Sequence, residues 1–307
     1  MYDRNCVPMK LFYYQRRDLM PNFGDALNTW LWPKLMPGSF DDDDSTLFVG
    51  TGTLLNSLLA ERTKAAQRLI IFSTGAGYEQ PIQQIPQHWQ IACVRGPLSA
   101  AVLALPEKTA IADGGILVNR CFTPTGDKTS DYGFMPHIHH ANYTAIDWKQ
   151  ICEPLGIRYI DPRGPVEQVL EAIGQVKVLL AEAMHGAIVA DALRVPWIPI
   201  VTSPRILRFK WQDWCASMDL TYRPQVLPPL AGYPRYGRGV RSGLRSAAHW
   251  QDCWQQSPLL SSRHSPKISQ RLEKIMAQGK TYLSKDAVLE QRLEQLEDAL
   301  LRLSSRF

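Results

Sequence analysis

His185 occupies a position where a polar side chain can act on a ligand. Val176–Ala181 reads as a strand, Glu182-Ala183-Met184 as a turn, and Gly186-Ala187-Ile188 as the start of a helix. In an open parallel sheet, ligands gather beyond the carboxyl ends of the strands, where such turns enter helix N-termini. Gly186 and Ala187 leave room beside the imidazole, and the helix dipole disfavours its charged form. A histidine so placed can serve as general acid or base, or hold a substrate oxygen. It can also simply cap the turn.

Arg95 ends another apolar run, Gln90–Arg95, and is followed by Gly96-Pro97 and a helical pattern. A planar guanidinium at that place can aim its fork at a carboxylate or phosphate, or pair with a surface acid. Glycine turns at Gly50-Thr51-Gly52, Thr74-Gly75-Ala76-Gly77 and Asp113-Gly114-Gly115 each follow a strand. Small residues there let backbone N–H groups approach an anion at a helix end, and they equally serve tight strand-to-helix turns. None matches the dinucleotide fingerprint or the phosphate loop, so neither NAD nor ATP is indicated. His137, His139 and His140 raise the question of a metal, but no carboxylate or cysteine shares their spacing; a polar loop is the better reading.

The elements that must carry these residues alternate. Strands are expected at 9–14, 46–49, 68–73, 90–95 and 109–112, with helices at 26–35, 54–62 and from 97. After a turn-rich stretch at 121–131 the alternation restarts. Strands are expected at 132–136, 158–161, 176–181 and 197–201, with helices at 145–155, 166–173 and 185–193. This order predicts an α/β protein with parallel sheets covered by helices. Four segments follow: 1–125 and 126–223 as Rossmann-like domains, 224–266 as an irregular basic and aromatic stretch, and 267–307 as C-terminal helices. Leu289, Leu293, Leu296, Leu300 and Leu303 form a helical stripe too short for an independent coiled coil. It packs on its own protein in preference to a second copy, although a homo-oligomer stays open.

Composition narrows the function classes. A hydrophobic fraction of 45% and a charged fraction of 21% suit a chain of 307 residues that buries full cores. The net charge of +5 is too mild for a nucleic-acid binder and fits small anionic substrates or an anionic membrane face. Residues 232–264 hold five Arg against one Asp, with Tyr233, Tyr236, Trp250 and Trp254, a pattern suited to a peripheral membrane contact. Six cysteines without a Cys-x-x-Cys pair argue against zinc and a disulfide framework and point to reduced cytosol. No apolar leader or membrane span is expected.

Taken together, certain landmarks resemble the polysaccharide pyruvyl transferase family, of the exopolysaccharide ketal-pyruvyl type. They are Asn22-Phe23-Gly24-Asp25-Ala26-Leu27-Asn28, Gly50-Thr51-Gly52, Arg95-Gly96-Pro97-Leu98-Ser99, Ala112-Asp113-Gly114-Gly115 and Met184-His185-Gly186-Ala187. They occur in the family's order and cover about residues 10–215. The resemblance implies two Rossmann-like domains facing across a cleft, as in GT-B glycosyltransferases. It also implies transfer of pyruvate from phosphoenolpyruvate to a sugar as a cyclic ketal, with phosphate released and no cofactor.

On this reading His185 is the acid or base. Asn22, Gly24, Asp25, Gly50, Gly52, Gly75, Arg95, Asp113 and Gly114 line the substrates. Some relatives carry an Arg where Ala183 stands, so another cation must meet the donor. Arg205 and Lys210, just after the last strand, are the candidates. The acceptor is a saccharide, lipid-linked in one version, at the inner face of the membrane. Two other readings share the architecture: a nucleotide-sugar glycosyltransferase, and an inert sugar-binding member of a synthesis complex.

Overall fold

The computed structural model describes residues 9–143, 147–202, 206–227 and 261–304. It is mixed α/β, and the chain forms two compact units. Unit 1 comprises 1–123, 207–222 and 284–307; unit 2 comprises 124–206 and 223–283.

Unit 1 is built on a parallel sheet of β1 (Lys10–Phe12), β2 (Thr46–Val49), β3 (Arg68–Phe72) and β4 (Trp89–Cys93), in that spatial order. The central strands read as near-continuous apolar runs because both of their faces are covered; β2 is buried throughout. α1 (Phe23–Leu35) joins β1 to β2, and α2 (Ser57–Arg62) joins β2 to β3. Pro33 lies in the last turn of α1, near the helix end it helps to set. α3 (Pro97–Val102) follows β4 with proline at its first position, where the missing N–H costs no bond.

The expected strand at 109–112 does not form. Glu107–Thr109 is a 3-10 turn, and only Ala110 bridges to Val94. Asp113 then caps a second 3-10 turn, Gly114–Leu117, that runs into α4 (Val118–Cys121).

Unit 2 holds a second parallel sheet of β5 (Ser130–Met135), β6 (Ile157–Tyr159), β7 (Val176–Ala181), β8 (Trp197–Val201) and β9 (Gln225–Val226), ordered β6-β5-β7-β8-β9. α5 (Ile138–Tyr143) follows β5, where a polar loop was expected. α6 (Trp148–Cys152), α7 (Val166–Gly174) and α8 (Met184–Ala192) complete the crossovers. The two-residue β9 lies at the start of the 224–266 stretch that is expected to be irregular. Helix Ser261–Gln278 sends Ile268, Leu272 and Ile275 into the same core as Phe134, Trp148 and Leu180.

The units interleave in sequence where continuous domains meeting near 125 and ending at 223 were expected. α9 (Arg208–Ser217) and helix Asp286–Ser304 both belong to unit 1. The leucine stripe is covered there, with Leu293 and Leu296 at 0% exposure. Among the described residues, no helix is long and apolar enough to cross a membrane.

Candidate functional site

In unit 1 the sequence-predicted residues gather at the carboxyl ends of the strands, held by separate local groups of hydrogen bonds. α1 starts at that edge. Asn22 is its half-buried N-cap residue, and its side-chain amide donates to Asp25 Oδ2 at 2.6 Å. Gly24 is buried in the first turn. Asn28, one turn on, donates to the carbonyls of Asp25 and Thr51, both at 3.2 Å, and accepts the Trp32 indole N–H at 2.8 Å. The Asn22–Asn28 motif therefore staples α1 to the turn after β2.

Arg95 departs from expectation. It is wholly buried, and its Nε donates to Asp213 Oδ2 at 2.9 Å. Its terminal nitrogens donate to Gly52 O at 3.0 Å, Thr53 Oγ1 at 2.9 Å and Ala76 O at 3.2 Å. Four of its five N–H groups are thus used inside unit 1, so its fork holds the site's loops and is not presented to a ligand. Asp213 completes the network by accepting the Ser99 N–H at 2.9 Å and the Ser99 hydroxyl at 2.5 Å. No sequence signal points to Asp213, because the helix that carries it, α9, has no single apolar stripe.

The glycines serve packing more than anion contact. A Cβ on Gly75 would lie 2.1 Å from the Arg95 Cζ, and the Gly75 N–H is already bonded to Gly52 O at 3.0 Å. A Cβ on Gly50 would strike the Trp32 indole at 2.1 Å, and one on Gly114 would meet Ser73 Oγ and Trp32. Gly52 has φ +139°, where a side chain is strained in any surroundings. Asp113 is fully buried and accepts the Gly115 N–H at 2.9 Å, closing its own turn where a substrate contact was expected.

Lys210 lies on α9. Its Nζ donates to the Tyr78 hydroxyl at 2.8 Å and sits over that ring at 5.3 Å, beside the loop after β3. Arg205 falls outside the described residues, as does most of the 232–264 segment.

In unit 2 the same edge carries a second group. β7 ends at Ala181, and His185 sits on the first turn of α8, half-buried. Gly186 is required where α8 crosses Met135, whose Sδ would lie 2.6 Å from an added Cβ. His140 is fully buried, with Nδ1 2.5 Å from Glu182 Oε2. Glu182 is buried as well. Burial alone would raise its pKa, but the charge of His140, with bonds from His140, Thr202 and the His137 N–H, holds it below the ordinary carboxylate value. Sequence spacing among the histidines hid this carboxylate, which joins them from 42 residues further along the chain. Among the described residues, no group of three or more His, Cys, Asp or Glu is arranged to hold a metal ion.

The family model described as polysaccharide pyruvyl transferase matches residues 125–204, the span of β5 to β8 that carries His140, Glu182 and His185. The succinoglycan biosynthesis protein ExoV of Rhizobium meliloti (strain 1021) is 42% identical over 222 residues, which is 72% of this chain and 68% of that protein. Identity of that extent covers more than the sheet of unit 2. The chain belongs to the polysaccharide pyruvyl transferase family.

Proposed function

We propose that the protein transfers the pyruvyl group of phosphoenolpyruvate to a saccharide of an exopolysaccharide or its lipid-linked precursor, forming a cyclic ketal. The observation that carries this reading is His185 on the first turn of α8, at the carboxyl edge of the sheet that the family model matches. The similarity to a succinoglycan biosynthesis protein supports an exopolysaccharide acceptor.

The chemistry balances without a cofactor. A proton adds to the methylene carbon of phosphoenolpyruvate, which becomes the methyl group, and the adjacent carbon gains oxocarbenium character. One sugar hydroxyl attacks that carbon. A second hydroxyl then replaces phosphate there as the carbon–oxygen bond to phosphate breaks. Of the two hydroxyl protons lost, one replaces the proton taken up by carbon and the other leaves with phosphate. His185 is the group we assign to these proton movements.

The donor brings a carboxylate and a phosphate, so cations must face it. With Arg95 enclosed and Ala183 standing where some relatives have arginine, Lys210 is the described candidate, and Arg205 is the other. Asn22 and Asp25, half-buried at the start of α1, are the polar side chains we assign to a substrate in unit 1. Two units with one parallel sheet each are compatible with the GT-B-like class, in which ligands meet the carboxyl ends of the strands. The acceptor reading further places the protein in the cytoplasm at the inner membrane face, with the basic 232–264 segment as its contact.

One assay tests the whole reading: phosphate release from phosphoenolpyruvate against lipid-linked and nitrophenyl sugars. We expect release that depends on acceptor, and a His185→Ala protein slower by roughly 100- to 10,000-fold. Release by no acceptor, together with binding of a nucleotide sugar, would favour a glycosyltransferase.

A further inference from the structure

Glu182 has no place in the proton movements above, yet both of its carboxylate oxygens are engaged at unit 2's carboxyl edge. Its Oε2 accepts the His137 backbone N–H at 2.9 Å and lies 2.5 Å from His140 Nδ1. Its Oε1 accepts the Thr202 backbone N–H at 3.0 Å and the Thr202 hydroxyl. His137 and His140 follow β5, and Thr202 follows β8; these two strands are the neighbours of β7 on either side. One carboxylate therefore joins the ends of three adjacent strands. The backbone is fixed at the same point, because the N–H groups of Glu182 and Ala183 both donate to Met135 O, at 3.0 and 3.3 Å. The next residues open α8, and His185 is the second of them.

Stability alone does not call for such a group. Removing a carboxylate from water is costly, and apolar residues of similar volume often replace buried ion pairs without loss. A fully bonded carboxylate instead has one arrangement of its donors that satisfies it, so it specifies geometry. We infer that Glu182 is a positioning residue: it locks the ends of β5, β7 and β8 together and thereby sets where α8 places the His185 ring. This rests on the reading of His185 as the acid or base. A displacement of about 1 Å at such a group can cost on the order of 100-fold in rate.

The experiment compares Glu182→Gln and Thr202→Val, each in wild-type and His185→Ala backgrounds, by phosphate release below the melting temperature of each protein. With His185 present, kcat is expected to fall by about 10- to 100-fold while KM for phosphoenolpyruvate stays within about twofold. In the His185→Ala background the same substitutions should change residual turnover by less than about twofold. Where that residual turnover is too low to measure, the His185 ring resonances decide; they should move in Glu182→Gln. Full kcat in folded variants, an equal loss in both backgrounds, or unmoved resonances would each overturn the positioning role. Near-full turnover in His185→Ala alone would instead remove the reading of His185. Should Glu182→Gln fail to fold, Thr202→Val carries the same comparisons, since it removes one bond to the carboxylate and leaves the charge pair.

Discussion

Arg95 and Glu182 show how the same physical fact, burial, separates a ligand contact from a structural one. Both are charged, both close apolar strands, and both are 0% exposed. Breaking a buried pair by truncating one member leaves the other charge unsatisfied, at a cost of about 3–5 kcal/mol. Arg95→Met is therefore expected to lower thermal stability by about that amount while leaving the donor KM of the folded protein within about twofold. A variant with native stability and a raised donor KM would show that the guanidinium reaches the substrate after all. Glu182 adds a pH dependence. Its pKa in the folded protein lies below the ordinary 4.5, so the stability it contributes is complete above that value and is lost as pH falls through the folded-state pKa. Urea midpoints between pH 7 and pH 3 should fall less steeply for Glu182→Gln than for the wild type. Equal slopes would place the acid sensitivity elsewhere.

The elements were legible wherever burial imposed a period. β2, β7 and β8 lie at the residues read from the sequence, because mostly apolar runs of four to six residues between turn signals admit few alternatives. α9 was not legible. It buries Lys210, Trp211, Asp213, Trp214 and Cys215, so polar and apolar residues are inside together and no single apolar stripe marks the helix. Asp213 is inside because Arg95 is inside, and that pairing spans 118 residues. Of the unit 1 candidates, sequence order placed the residues at the correct sheet edge, but it could not say which side chains turn inward. The thiols follow the same logic. Burial pushes the pKa of Cys93 and Cys152 up to about 12, whereas Cys121 is only half-buried. Alkylation of the native protein at pH 8, followed by peptide mapping, should label Cys121 well before Cys93 or Cys152. Early labelling of Cys93 would mean that β4 opens readily.

At the scale of the molecule, the interleaving of the two units has a consequence for folding. Helix Asp286–Ser304 is the last described element, yet it packs on β4 and on the Gly114–Leu117 turn of unit 1. It brings Leu289, Leu293, Leu296, Leu300 and Leu303 to 4% exposure or less. Each buried leucine contributes roughly 1.5–3 kcal/mol, so their combined loss would be comparable to the whole stability of an ordinary domain. Arg120 adds ion pairs to Glu290 and Glu297, but these are exposed and contribute little. A protein truncated after Leu283 should therefore lose unit 1 while retaining unit 2, whose core is formed within 124–206 and 223–283. Amide hydrogen exchange separates the two outcomes, because Phe48 and Ile70 report on the first sheet and Phe134 and Leu180 on the second. Protection is expected to vanish at the first pair and persist at the second. Loss at both pairs would mean that the units unfold together, and protection at both would mean that the C-terminal leucines are dispensable.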